Sequence, residues 1–111
     1  MTDASIPAAV FVALADATRR QVFELIAATP RSVTDLAGRL PVNRPAVSQH
    51  LRVLKDARLV VDRAEGTRRV YALDDRGLRA ARAYLDRFWD RALHDFKQVA
   101  EAAARDERNR R

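Results

Sequence analysis

The stretch Asn43-Arg-Pro-Ala-Val-Ser-Gln-His-Leu-Arg-Val-Leu-Lys-Asp-Ala57 decides the fold. Asn43 is a preferred helix N-cap, and Pro45 sits in the first turn, where its missing N–H costs nothing. At about 100° per residue from Val47, Leu51 and Leu54 fall within about 40° of it and form one buried stripe. Pro45, Ser48, Gln49 and Arg52 cluster on the far side. That outward face is short, polar and rich in donors. Glutamine matches an adenine edge, arginine forks onto guanine, and serine serves a base or a phosphate. Any solvated helix face has similar chemistry, so the neighbours decide the reading.

Upstream, Ser32 caps a helix Val33–Leu40, with Asp35 at its third position where an acid favours the dipole. Val33, Leu36, Ala37 and Leu40 are its buried residues, and Pro41 closes it. Four residues, Pro41-Val-Asn-Arg44, join it to the helix above. This is helix–turn–helix spacing, in which the second helix enters the major groove. Further upstream, Ser5–Ala15 reads as a short helix with Val10, Phe11 and Leu14 on one face. Asp16 caps a second helix to about Ala28, carrying Val22, Phe23, Leu25 and Ile26, and Thr29-Pro30 stops it.

Downstream the period changes. Leu59–Ala64 and Arg68–Leu73 are β-type runs flanking Glu65-Gly66-Thr67, a hairpin in which Gly66 is free to take a positive φ. Arg63, Arg68 and Arg69 at its tip make it a wing able to grip phosphates or a minor groove. Charge also protects edge strands, which is the plainer account of those arginines. Asp74 caps the last helix, whose apolar residues Leu78, Ala81, Leu85, Phe88, Ala92, Phe96, Val99 and Ala103 are spaced three or four apart. The tail 105–111 is charged, lacks apolar anchors and is expected to fray. The expected order is α-α-α-α-β-β-α, mainly α with a small β-hairpin, in one domain over residues 1–104.

Composition bounds the chain to one small domain with a basic excess. The 111 residues are 48% hydrophobic but only 6% aromatic, so the core is aliphatic. Cysteine is absent, which excludes disulfides, a thiolate nucleophile and thiolate metal sites. No apolar run approaches the ~20 residues of a membrane span. The stretch 1–5 lacks the basic region of a secretory signal, so the expected location is the cytoplasm, at the nucleoid. The net charge is +6, with 19 arginines and 2 lysines. Residues 41–79 hold nine bases against five acids and carry most of the excess. A basic middle segment suits a polyanion.

The chain resembles the ArsR-type winged-helix transcriptional repressors, in the branch lacking metal motifs. The residues that carry the resemblance are Ala13-Leu-Ala-Asp-Ala-Thr-Arg-Arg20, Ser32-Val-Thr-Asp-Leu-Ala37 and Pro45-Ala-Val-Ser-Gln-His-Leu-Arg-Val-Leu54. Leu59-Val60, the Glu65-Gly66 turn and Val70-Tyr-Ala-Leu73 complete it, over residues 8 to 100. The resemblance implies a homodimer on an inverted-repeat operator that blocks transcription until a signal releases it. Two departures stand out: Arg58 and Pro41 replace glycines common in the family. A left-handed backbone at Arg58 would cost roughly 1 kcal/mol.

From these readings, Ser48, Gln49 and Arg52 are expected to read bases in double-stranded DNA, with Pro45 and Ala46 close to the groove. Arg44, Arg63, Arg68 and Arg69 are expected to hold phosphates or the minor groove. A helix of about 30 residues is a rod of ~45 Å, longer than a domain with a ~13 Å radius of gyration can cover. Its stripe of Leu85, Phe88, Trp89, Ala92, Phe96 and Val99, with Val10, Phe11 and Leu14 of the first helix, is therefore expected to form a two-fold homodimer interface. The two reading helices would then lie ~34 Å apart on a palindromic operator.

Other functions are less well supported. The family's thiolate sensor stretch here reads Arg31-Ser-Val-Thr-Asp-Leu, without cysteine. Asp90 and His94 have metal-compatible spacing, but acids alternating with arginines are more simply surface ion pairs. No metal, cofactor or catalytic group is expected, and no phosphate-binding glycine loop is present. The competing readings are a winged-helix interaction module that never touches DNA and a metal-sensing repressor using the last helix. The effector is not legible.

Overall fold

The architecture follows from a series of capped helix ends. The computed structural model describes residues 5–110. Helices α1 (Ser5–Ala15) and α2 (Ala17–Ala28) meet at Asp16, whose side chain accepts from the Arg19 N–H at 2.8 Å. Arg19 Nε donates to the Ala13 carbonyl and Arg20 Nη1 to the Leu14 carbonyl, each at 2.7 Å. These are end carbonyls that a helix leaves unpaired. Arg31 Nε donates at 2.8 Å to the Leu25 carbonyl in the last turn of α2, which also accepts from the Thr29 N–H at 3.3 Å. Three of the 19 arginines therefore serve helix ends rather than a ligand.

Ser32 caps α3 (Val33–Arg39), its hydroxyl accepting from the Asp35 N–H at 3.2 Å. Asn43 caps α4 (Arg44–Asp56), accepting from the Ala46 N–H at 2.9 Å. Val47, Leu51 and Leu54 of α4 join Val22, Ile26, Leu36, Leu59 and Val60 in the core. Val10 belongs to that core too, at 1% exposure. It was expected at a two-fold surface, but it has no surface left to give. On α1 the large exposed apolar residues are Phe11 and Val12, with Leu14 half-buried.

The sheet has three strands, one more than the hairpin foreseen. β2 (Val60–Glu65) and β3 (Arg68–Leu73) pair antiparallel from Val60↔Leu73 to Glu65↔Arg68, around Gly66 at φ +64°. β1 (Arg31–Ser32) adds to the other edge of β3, through Arg31↔Tyr71 and Ser32↔Val70. Two residues are too few to show alternation, so sequence periodicity could not find it.

The turn after α4 places Arg58 at φ +60°. Arg58 N–H donates to the Lys55 carbonyl at 3.0 Å and Leu59 N–H to the Leu54 carbonyl at 2.9 Å. This paired closure normally takes glycine at the left-handed residue. Arg58→Gly is expected to raise stability by about 1 kcal/mol, seen as a higher midpoint in thermal unfolding.

The last helix, α5 (Asp75–Asn109), starts against that turn. Asp74, 6% exposed, accepts from the Arg76 backbone N–H at 3.0 Å and from its guanidinium at 2.7 Å. Gly77 N–H donates to the Arg58 carbonyl at 2.8 Å. The helix runs to Asn109, whereas the segment from Arg105 onward was expected to fray. Ala102, Ala103 and Ala104 are strong helix formers, and Arg110 pairs with Asp106 at 3.2 Å one turn away.

The chain forms two compact units, Met1–Ala81 and Arg82–Arg111. The first holds the core and the sheet. The second is a helical segment whose described residues are all exposed. Among the described residues, no helix is long and apolar enough to cross a membrane.

Candidate nucleic-acid interface

Burying Val47, Leu51 and Leu54 turns the opposite side of α4 outward. Pro45, Ser48, Gln49 and Arg52 are all exposed there, and Ala46 is half-buried. His50 lies at the border, half-buried, with a buried Nδ1 that has no hydrogen-bond partner. Among the described residues, Arg52 and Arg68 take part in no ion pair. Arg44 donates from Nη2 to Thr34 Oγ1, which holds it against α3.

A cleft of about 350 Å³ opens where α3, α4 and the wing converge. Arg44, Arg68 and Arg69 line it together with the hydroxyls of Ser32, Thr34, Ser48 and Thr67. Guanidiniums and hydroxyls facing one concavity are suited to phosphate oxygens. A second cleft of about 320 Å³ lies along α4 and is lined by Ser48, Arg52, Lys55 and Tyr71. The sequence reading had missed Thr34, Thr67, Lys55 and Tyr71. Thr67 beside Gly66 in the wing turn was the one signal available for them.

Strand alternation divides the wing arginines. Side chains at 62, 64, 69 and 71 share one face of the ribbon, and those at 63, 65, 68 and 70 share the other. Arg63 lies 3.6 Å from Glu65 and lines a separate cleft with Arg31, Asp35 and Arg68. Arg69 lies 2.9 Å from Asp62, whose other oxygen meets Lys55 Nζ of α4 at 2.7 Å. Arg68, at the ribbon's end, lines both clefts, so Arg44, Arg68 and Arg69 border the cleft beside Ser48, whereas Arg63 lines only the separate one.

Four carboxyls have pKa values held below the ordinary 3.8. The causes are the Arg19 N–H for Asp16, the Arg31 guanidinium for Asp35, Lys55 for Asp62 and Arg76 for Asp74. The folded chain therefore binds these protons less readily than the unfolded chain. Their contribution to stability is fully present above about pH 5 and is lost as pH falls through and below about 4. The melting temperature should be level through the neutral range and drop in that acid window, and Asp74→Asn should shrink the drop.

On α5, the exposed apolar residues include Leu85, Phe88, Trp89, Leu93, Phe96 and Val99, from 50% to 72% exposed. Ala92 is exposed among them. Arg82–Asp86 and Lys97–Glu101 are i,i+4 ion pairs, each at 4.0 Å. His94 Nε2 lies 3.1 Å from Gln98 Nε2. No three His, Cys, Asp or Glu side chains come together to hold a metal among the described residues.

Comparison with known proteins gives one consistent result. A helix-turn-helix domain family matches residues 14–63. The HTH-type transcriptional regulator Rv2034 of Mycobacterium tuberculosis is 58% identical over 94 residues, 85% of this chain and 88% of that protein. An ArsR-like transcriptional regulator from Rhodococcus sp. RHA1 superposes with a TM-score of 0.73 at 34% identity, covering 86% of this chain and 93% of that one. The homodimeric winged helix-turn-helix DNA-binding domain of Mb0332 from Mycobacterium bovis has a TM-score of 0.61 at 33% identity, covering 82% and 84%.

Proposed function

The chain belongs to the ArsR-type family of winged helix–turn–helix transcriptional regulators, and on that footing we propose that it is a repressor binding an inverted-repeat operator as a symmetric dimer. The observation that carries this is the exposed Ser48, Gln49 and Arg52 row on α4, set beside a cleft lined by Arg44, Arg68 and Arg69. Gln49 and Arg52 read base edges in the major groove, and Ser48 serves a base or a phosphate. Pro45 and Ala46 lie close to the groove wall. Arg44 and Arg68 take phosphates. Arg63, on the ribbon face opposite Arg69 and lining a separate cleft, reaches a flanking phosphate or the minor groove. Binding takes place at the nucleoid, in the cytoplasm.

The partner proposed for the α5 stripe is a second copy of this chain. Trp89 at 63% and Phe96 at 72% exposure are large apolar side chains of the kind that interfaces cover. α1 offers a smaller apolar surface of its own in Phe11, Val12 and Leu14. The double variant Trp89→Glu/Phe96→Glu is expected to sediment as a monomer. Its operator affinity should fall about a hundredfold or more, because the second half-site no longer binds as part of one assembly.

The direct test is selection of duplexes from a random pool followed by hydroxyl-radical footprinting. The expected pattern is two symmetric protections centred about one helical turn, ~34 Å, apart. A single asymmetric protection would refute the dimer on an inverted repeat.

A further inference from the structure

The DNA-facing surface contains one carboxylate in an unusual position. Asp62 of β2 stands between two cations from different elements, Lys55 of α4 and Arg69 of β3. Its side chain is 9% exposed, whereas those of Lys55 and Arg69 are 55% and 60% exposed. The anion is thus the fixed centre and the two cations are the accessible arms. Its Oδ1 meets Lys55 Nζ at 2.7 Å and its Oδ2 meets Arg69 Nη1 at 2.9 Å, so both oxygens are used. Asp62 pairs across the ribbon with Tyr71, and Tyr71 and Lys55 both line the cleft that holds Ser48 and Arg52. Lys55 holds this carboxyl below its ordinary range, so it remains an anion at neutral pH.

Resting on the DNA-binding reading above, we propose that Asp62 is a specificity-determining positioning residue that acts through Lys55 and Arg69. Two consequences follow from its place. First, one negative charge shared by two cations leaves a single net positive charge where two would otherwise face DNA. Non-specific affinity comes from phosphate neutralisation, and each phosphate contact steepens the log–log salt dependence by about 0.9. Second, the bridge ties β3 to α4. The wing is then held in one register against the reading helix, which favours sequences that α4 can engage. Asp62 therefore lowers non-specific affinity, while the tie between wing and helix favours the correct site. It also changes the expectation for Arg69, which is a partly neutralised tether between wing and helix rather than a free phosphate clamp.

The test compares two duplexes, one selected from a random pool by the wild-type protein and one with the same bases scrambled. Binding is titrated across a salt series. Asp62→Asn keeps the shape and an acceptor but removes the charge. It is expected to steepen the scrambled-duplex slope by about 0.9 and to raise affinity for that duplex about fivefold near 0.15 M salt. The ratio of selected to scrambled affinity should fall by a similar factor or more. Asp62→Glu retains the charge and should keep the wild-type slope, which a purely structural role would not require. Lys55→Gln, on a half-exposed side chain, removes one of the two cations and also cuts the tie to α4. Asp62 then neutralises Arg69 undivided, scrambled-duplex affinity falls about fivefold, and selected-duplex affinity falls further, so the ratio falls. An unchanged slope and ratio in Asp62→Asn would overturn the proposal. So would equal losses on both duplexes in Lys55→Gln, which would make Lys55 an ordinary phosphate contact. If the wild type itself shows no salt-dependent binding, the DNA-binding reading fails instead, so the two failures are distinct.

Discussion

Gln49→Ala combined with Arg52→Ala is expected to lower affinity for the operator about a hundredfold or more, while leaving the fold intact. Each good bidentate contact to a base edge contributes roughly 1–3 kcal/mol of discrimination. Both side chains are exposed, and neither contributes to the core of Val47, Leu51 and Leu54 behind them. Thermal unfolding should therefore change little. The loss should fall on the selected duplex far more than on a scrambled one, because phosphate contacts from Arg44 and Arg68 remain. Arg68→Ala gives the contrasting pattern: a loss of about fivefold on every sequence alike and a salt slope flatter by about 0.9. Titration of both duplexes with both variants separates base reading from charge.

Gly77→Ala is expected to be the most damaging single methyl group in the chain. A Cβ at that position would lie 2.6 Å from the Ala57 carbonyl oxygen and 2.7 Å from that of Arg58. Both obstacles are backbone, and the Arg58 carbonyl also accepts the Gly77 N–H at 2.8 Å. No side chain can rotate away to relieve the contact. The start of α5 must move off the left-handed turn, disturbing the buried Asp74 as it does so. Overpacking of this kind costs about 3 kcal/mol, which lowers the melting temperature by roughly 12 °C or more for a domain of this size. Gly38→Ala is the internal control. A Cβ there meets nothing within 4 Å, and Gly38 lies within α3. That variant should be more stable by about 0.5–1 kcal/mol. The same change of residue thus has opposite signs at two positions, and calorimetry at matched protein concentration reads both.

The contrast between these glycines shows where the sequence was legible. Features set by neighbouring residues were readable: the caps at Asp16, Ser32 and Asn43, the stripe on α4 and the turn at Gly66. Each depends on residues within one or two turns of it. Gly77 could not be read, because its constraint comes from a carbonyl 19 residues away that exists only once Arg58 adopts a positive φ. β1 was too short to carry a period. The exposed row Ser48, Gln49 and Arg52 followed directly from the helical repeat. The wing arginines were grouped by proximity along the chain, although alternation sends Arg63 and Arg69 to opposite faces. Asp62 was passed over because its partners come from a helix and a neighbouring strand. Val10 was assigned to the wrong neighbour: its helix has two apolar sides, and Val10 lies on the inner one. The arginine skew is likewise only partly about DNA, since Arg19, Arg20 and Arg31 close helix ends and Arg76 holds Asp74.

The α4 face and the wing are proposed to bind a defined DNA sequence together. The most direct measurement is fluorescence anisotropy of a labelled selected duplex titrated with the full chain, from about 50 to about 200 mM salt, with the scrambled duplex in parallel. Affinity is expected to fall linearly with salt on logarithmic axes, with a preference for the selected duplex of about a thousandfold or more. Binding that is absent, insensitive to salt, or equal for the two duplexes would contradict it.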